Sequence, residues 1–306
     1  MADSTTAATA PALAGSTASL DDLRQRTTRR RWVKSMTSSW AVMISIVVLV
    51  LIIAMALLAP VLAPHDPEFI DPGIRLQRPE LSEKHRLGTD EFGRDVLSRV
   101  IYGARVSLLI GISVTFCAAL IGSILGLVSG YYDRLDVPIM RVMDGLMAFP
   151  SILLAIAIMA SLGPRTVNVF IALTVVYVPI IARLVRGSTL VLKQQPHVES
   201  ARSIGLRDHS ILFRYIFANS LSPLIVQCTF VIALAIISES SLSFLGAGVP
   251  PDTPSWGNML RDGQKLIQTA WWMSIFPGIA LVATVLTLNI VGDALRDALD
   301  PRAHER

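Results

Sequence analysis

Five histidines, 23 carboxylates and two cysteines are the groups in this sequence able to bind a metal, move a proton or attack a substrate. Their spacing argues against all three. His65, His85, His197, His209 and His304 are scattered along the chain, too few in any one stretch for metal-assisted hydrolysis. No His-Glu-x-x-His, paired Cys-x-x-Cys or Gly-x-Ser-x-Gly run occurs, nor a Gly-x-x-x-x-Gly-Lys-Ser/Thr loop to cradle a nucleotide. Cys117 and Cys228 fall in apolar runs and read as small packing residues. The reading therefore assigns no catalytic residue, no metal ligands and no cofactor to this chain.

Three charged constellations remain. Glu199 and Arg202, three apart, can pair along a helix. Arg94, Asp95 and Arg99 at short helical spacing can satisfy one another at a surface, or present charge to a soluble partner. Glu239, flanked by Ser238, Ser240 and Ser241, can be held by hydroxyls or stand near a gate.

The elements that must carry these groups are set by composition. The 306 residues are 52% hydrophobic and only 16% charged, against about 25% charged in soluble domains. Six runs lack Asp, Glu, Lys and Arg: Ala41 to Leu62, Val106 to Tyr132, Gly145 to Pro164, Thr166 to Ala182, Tyr215 to Ser238 and Leu266 to Gly292. Crossing a bilayer core takes about 20 residues, and buried amides in lipid demand helix. The sequence predicts an all-α polytopic membrane protein with six spans, at about 41–62, 106–130, 141–162, 166–184, 219–239 and 271–292. The first run is too long for the core of a cleavable leader.

Lys and Arg bias sets the orientation. Seventeen fall on the side of the N-tail and ten opposite, which predicts cytoplasmic N- and C-termini, with 1–39 a disordered tail and 301–306 a short one. Residues 40–300 form one membrane domain with an external loop 63–105, a cytoplasmic loop 185–218 and an external loop 240–270. The first outer loop carries both signs, so nucleic-acid binding loses its support.

The loop from Arg183 to Arg214 carries the most information. Val198, Ala201 and Gly205 recur at three- and four-residue spacing, and Gly205 suits a left-handed helix end. Asp208 can cap a second helix near His209, which Ile211, Leu212, Tyr215 and Ile216 make amphipathic. Two readings of this helix–turn–helix stand: an amphipathic hairpin resting on lipid, or a knob that fits a groove on a soluble partner.

Glu199-Ser200-Ala201-x-x-x-Gly205, nine residues, then Tyr215-Ile216-Phe217-Ala218 resembles the "EAA" loop of ABC importer permeases, Glu-Ala-Ala-x3-Gly-x9-Ile-x-Leu-Pro. Ser200 replaces an alanine, and the tail departs at Tyr215, Phe217 and Ala218. In that family the loop is the coupling helix gripped by a cytoplasmic ATPase. The resemblance implies docking by His197, Glu199, Ser200, Ala201, Gly205, Leu206, Asp208 and Ile211.

Two further segments are similar to the C-type permeases of dipeptide, oligopeptide and nickel systems. One runs from His85 through Gly88-Thr89-Asp90 and Gly93-Arg94-Asp95 to Leu108; the other joins Leu242-Ser243-Phe244-Leu245-Gly246 to Pro254-Ser255-Trp256-Gly257. The likeness implies a type I ABC importer permease fold in a bacterial inner membrane. It also implies a homologous B-type permease, two ATPase subunits holding ATP and Mg, and an extracytoplasmic peptide-binding protein. Cargo would be di- or oligopeptides, with nickel or another small solute the alternative and ion-coupled secondary transport the rival. Arg94, Asp95, Arg99, Glu239, Phe244 and Trp256 become candidates for an external gate or receptor face. Trp256, Trp271 and Trp272 would anchor at headgroup level, with 246–257 folding back over the outer mouth. Gly122, Gly126 and Gly130 recur every fourth residue and would let two helices approach closely.

Overall fold

A computed structural model describes residues 39–80 and 84–299. The expected tails, 1–39 and 301–306, lie outside the described residues except for Ser39. Helix α1, Trp40–Leu57, is followed by a single separate turn, Ala59–Leu62. The expected first span is thus broken at Leu58, because Pro60 offers no amide and its ring displaces the carbonyl four residues back. The outward face of α1 is apolar, with Val47, Val50 and Leu51 more than half exposed, as a face meeting lipid must be.

Helix α2, Val96–Tyr131, starts ten residues before the charge-free run and is uninterrupted for 36 residues. Asp95 caps it, its carboxylate accepting from the Ser98 amide. Helices α3, Asp133–Met147, and α4, Ser151–Leu162, meet at a bend of 92°. The expected third span, 141–162, is not one helix. Pro150 pushes the residue before it out of the helical region, so the chain turns where the apolar run continues unbroken. Alone, α4 reaches only about 18 Å at 1.5 Å per residue, short of a bilayer core.

Helix α5, Thr166–Leu192, extends ten residues past the charge-free run. Helix α6, Pro196–Ser203, is short, and α7 runs continuously over Asp208–Phe244 with a π-helical stretch at Ile211–Phe217. Two more follow: α8, Trp256–Gln264, and α9, Trp272–Leu299. Among the described residues, five helices are long and apolar enough to cross a membrane, six if the bent α3–α4 pair counts as one. No strand occurs among the described residues beyond an isolated bridge between Thr89 and Asp95.

The core forms where α2 lies against α5 and α7. A Cβ on Gly126 would sit 2.5 Å from the Ala182 carbonyl oxygen, and one on Gly130 2.6 Å from Thr189 Cβ. One on Gly122 would sit 2.9 Å from Ile181 Cβ. These glycines serve packing inside the chain, and their absent side chains set the α2–α5 distance.

Candidate functional site

Helix α6 sits at the end of the bundle reached by the last residues of α2 and α5 and the first of α7. Pro196 opens it and Gly205 closes it, with φ at +80°. The Leu206 amide returns to the Ala201 carbonyl at 3.2 Å and the Gly205 amide to Arg202 at 3.0 Å. That pair of bonds satisfies the orphan carbonyls of the last turn and needs a left-handed residue. A side chain at Gly205 meets open space, so only backbone strain opposes substitution.

One face of α6 is anchored. Val198 and Ala201 are buried beside Ile211, Leu212 and Ile216 of α7. Tyr131, the last residue of α2, donates its hydroxyl to Asp208 at 2.6 Å, and the Arg202 guanidinium lies 5.4 Å from the Tyr131 ring centroid. His197 stacks near Tyr215, ring centroids 6.4 Å apart. The other face is bare: His197, Glu199, Ser200, Arg202, Gly205 and Leu206 are exposed, and Ile204 is 79% exposed.

Three sequence expectations change here. Asp208 does not cap α7; Arg207 occupies that position, and the carboxylate instead takes the Tyr131 hydroxyl, a bond 77 residues long that no local pattern foretells. Arg202 lies on Tyr131 rather than against Glu199. Ala201 and Ile211, counted among the docking residues, are buried and hold α6 in place rather than presenting themselves.

Residues 118–305 match the family model described as binding-protein-dependent transport system inner membrane component, and residues 28–79 match the N-terminal membrane domain of oligopeptide transport permease C. A permease protein of Brucella suis is 48% identical over 259 residues, 85% of this chain and 87% of that one. The dipeptide transport system permease protein DppC of Alkalihalophilus pseudofirmus is 42% identical over 89% of this chain and 90% of its own length. The glutathione transport system permease protein GsiD of Pectobacterium atrosepticum is 45% identical, covering 90% and 91%.

The chain belongs to this family of inner-membrane transport components. Within it, the match to permease C agrees with the C-type resemblance, and the helices make it a multi-pass inner-membrane protein. Relatives of this kind are transport subunits, which fits a chain without enzymatic activity, and no cofactor is indicated for such a subunit.

At the opposite end of the permease, Thr89, Asp90, Arg94 and Asp95 join the start of α2, α8 and the start of α9 in a buried polar layer. Arg94 binds Asp90 at 2.6 Å and approaches Asp262 at 3.8 Å; Arg99 donates to the Pro67 carbonyl at 3.1 Å. Burial pushes the Asp262 carboxyl up, with Arg94 pulling the other way. Trp256 donates to the Val100 carbonyl and Trp272 to that of Thr89, each at 3.0 Å. Glu239, inside α7 rather than at its end, accepts from Ser107 of α2 and from Ser243, both at 2.9 Å.

These contacts correct the external candidates. Arg94, Asp95, Arg99, Glu239 and Trp256 are all buried, so they form neither a landing surface nor a headgroup anchor; only Phe244 is exposed, at 36%. Trp272 is also buried, while Trp271 is half exposed. Arg94 and Asp95 precede α2, so helical spacing does not apply to them, and each finds a partner outside the trio. The histidines are not all scattered either: the His65 and His85 rings lie 4.5 Å apart, tilted by 31°, beside Asp95.

Proposed function

We propose that this chain is one half of the pore of an ATP-driven importer of di- and oligopeptides, with α6 as the handle through which ATPase subunits move it. The observation that carries this reading is the two-sided build of α6: apolar anchors beneath, exposed Glu199 and Ser200 above, and a glycine turn fixing its exit. Such a knob suits helix-in-groove docking. The dipeptide and glutathione names of the relatives support small peptides as cargo.

In this reading a homologous B-type permease completes the pore, and two ATPases, holding ATP and Mg, dock on the 197–211 segments. An extracytoplasmic binding protein delivers cargo. The excess of Lys and Arg on one side supports placing α6 and both termini in the cytoplasm. Nucleotide binding closes the ATPases, draws the two handles together and favours a second packing of the helices; hydrolysis restores the first. A ligand shifts such an equilibrium only by its differential affinity for the two packings.

The test uses Glu199→Lys and Gly205→Val in the reconstituted complex. Charge reversal on a docking surface costs several kcal/mol, and a β-branched residue in the left-handed region costs about 1–2 kcal/mol. Both variants should insert normally, yet lose about tenfold or more in ATPase co-purification and ATP-dependent peptide uptake. Uptake driven by an ion gradient without ATPases, or wild-type coupling in both variants, ends the proposal.

A further inference from the structure

The pair of adjacent imidazoles beside a buried carboxylate is the cluster that the transport reading leaves unused. His65 follows the short turn after α1, His85 lies in the loop twenty residues later, and Asp95 caps α2. The loop closes so that one donor atom from each lies within 4.8 Å of the others. His85 Nδ1 is 2.9 Å from Asp95 Oδ1, and His65 Nδ1 is 3.9 Å from Asp95 Oδ2.

Three features distinguish this cluster from an ordinary hydrogen bond. His65 Nδ1 is buried and has no hydrogen-bond partner, although a third of its side chain is exposed. A buried polar atom left unmatched carries a desolvation cost that a ligand satisfying it recovers. The Asp95 carboxylate is itself held, Oδ2 accepting from the Ser98 amide and hydroxyl at 2.8 Å each. The same Ser98 hydroxyl accepts the His65 amide at 3.1 Å, so one serine orients two of the three groups. Supporting bonds of this sort fix ligand geometry in metal sites. Finally, the cluster lines a cavity of about 580 Å³ that Asp66 and Asp71 also border.

We propose that His65, His85 and Asp95 bind a divalent transition-metal ion of the zinc type, with the fourth position open to water in the cavity. Two imidazole nitrogens and one carboxylate oxygen suit zinc, whereas calcium and magnesium take six or more oxygens. Tetrahedral zinc at about 2.0–2.1 Å holds its donors roughly 3.4 Å apart. His85 Nδ1 and Asp95 Oδ1, at 2.9 Å, would open slightly, and the other donors, all within 4.8 Å, would close in. The ion would tie two points of the outer loop to the cap of α2. It is a structural staple, independent of whether α6 docks an ATPase.

The test is zinc binding by the full-length chain, or the complex it purifies in, stripped of metal and carrying no polyhistidine tag. Titration against a chromophoric chelator should give one high-affinity zinc per chain that is absent from His85→Ala and weakened tenfold or more in His65→Gln. Cobalt in place of zinc should give the intense visible bands of a four-coordinate ion. Zinc should also raise the melting temperature of the wild type but not of His65→Gln, whose exposed edge makes it the variant that keeps its fold. Equal zinc affinity in the wild type and His65→Gln overturns the proposal, as does a wild-type chain that gains neither cobalt bands nor melting temperature.

Discussion

At the end of the bundle where α2 begins, Arg94 and Asp95 are buried and paired, at 5% and 2% exposure, whereas at the α6 end Glu199, Arg202 and Arg207 stand in solvent. The ion pairs follow suit. Arg94 and Asp90 are each 6% exposed in their side chains, while Arg183 and Asp144, joining α5 to α3, are 51% and 58% exposed at a similar 2.6 Å. The contrast separates a layer whose ion pairs are shut away from water from a surface whose charges, paired or not, remain hydrated. Distance alone would rank the two pairs together. Burial decides what each contributes.

The contrast is sharpest at Trp256. Trp256→Ala should remove a fully buried indole and its bond to Val100, costing about 3–5 kcal/mol of stability, read as a large fall in the thermal midpoint in detergent. Arg94→Ala leaves the buried Asp90 carboxylate with only the more distant Arg99, at 3.8 Å, and should cost about 3 kcal/mol, with Arg94→Lys recovering only part. A midpoint unmoved by either variant would remove the distinction between the ends. Tyr131→Phe should cost about 1 kcal/mol through the lost bond to Asp208, loosening α6 against α2. Faster hydrogen exchange confined to 196–210 is its signature, and unchanged exchange there would place the anchoring of α6 elsewhere. Arg183→Ala, at the exposed pair, should change stability by less than about 1 kcal/mol and lose even that at high salt.

Where the sequence succeeded, the cause was local. Gly205 was readable as a left-handed helix end because that conformation penalises every residue with a Cβ. Gly122, Gly126 and Gly130 were readable as a close-packing face because a four-residue period keeps them on one side of α2. Pro150 carried a legible break, but the apolar run around it hid the signal. Other features depend on distant partners. Trp256 and Trp272 looked like headgroup anchors because indole preference for an interface and for a buried carbonyl leave the same letter in the sequence. Asp208 met Tyr131, and His65 met His85, only after loops of the chain had closed.

Helix α2 has a further consequence. It contains no proline, its first turn is clamped by Asp95 among the buried charges, and its last residue grips Asp208 beside the exposed face of α6. Thirty-six residues at 1.5 Å make an unbroken rod of about 54 Å. Because intrahelical bonds hold its length constant, a tilt of about 5° around the clamped end sweeps the tip by roughly 5 Å. Geometric leverage of this kind lets a small rotation at one pivot become a stroke comparable to one helical turn at the far end.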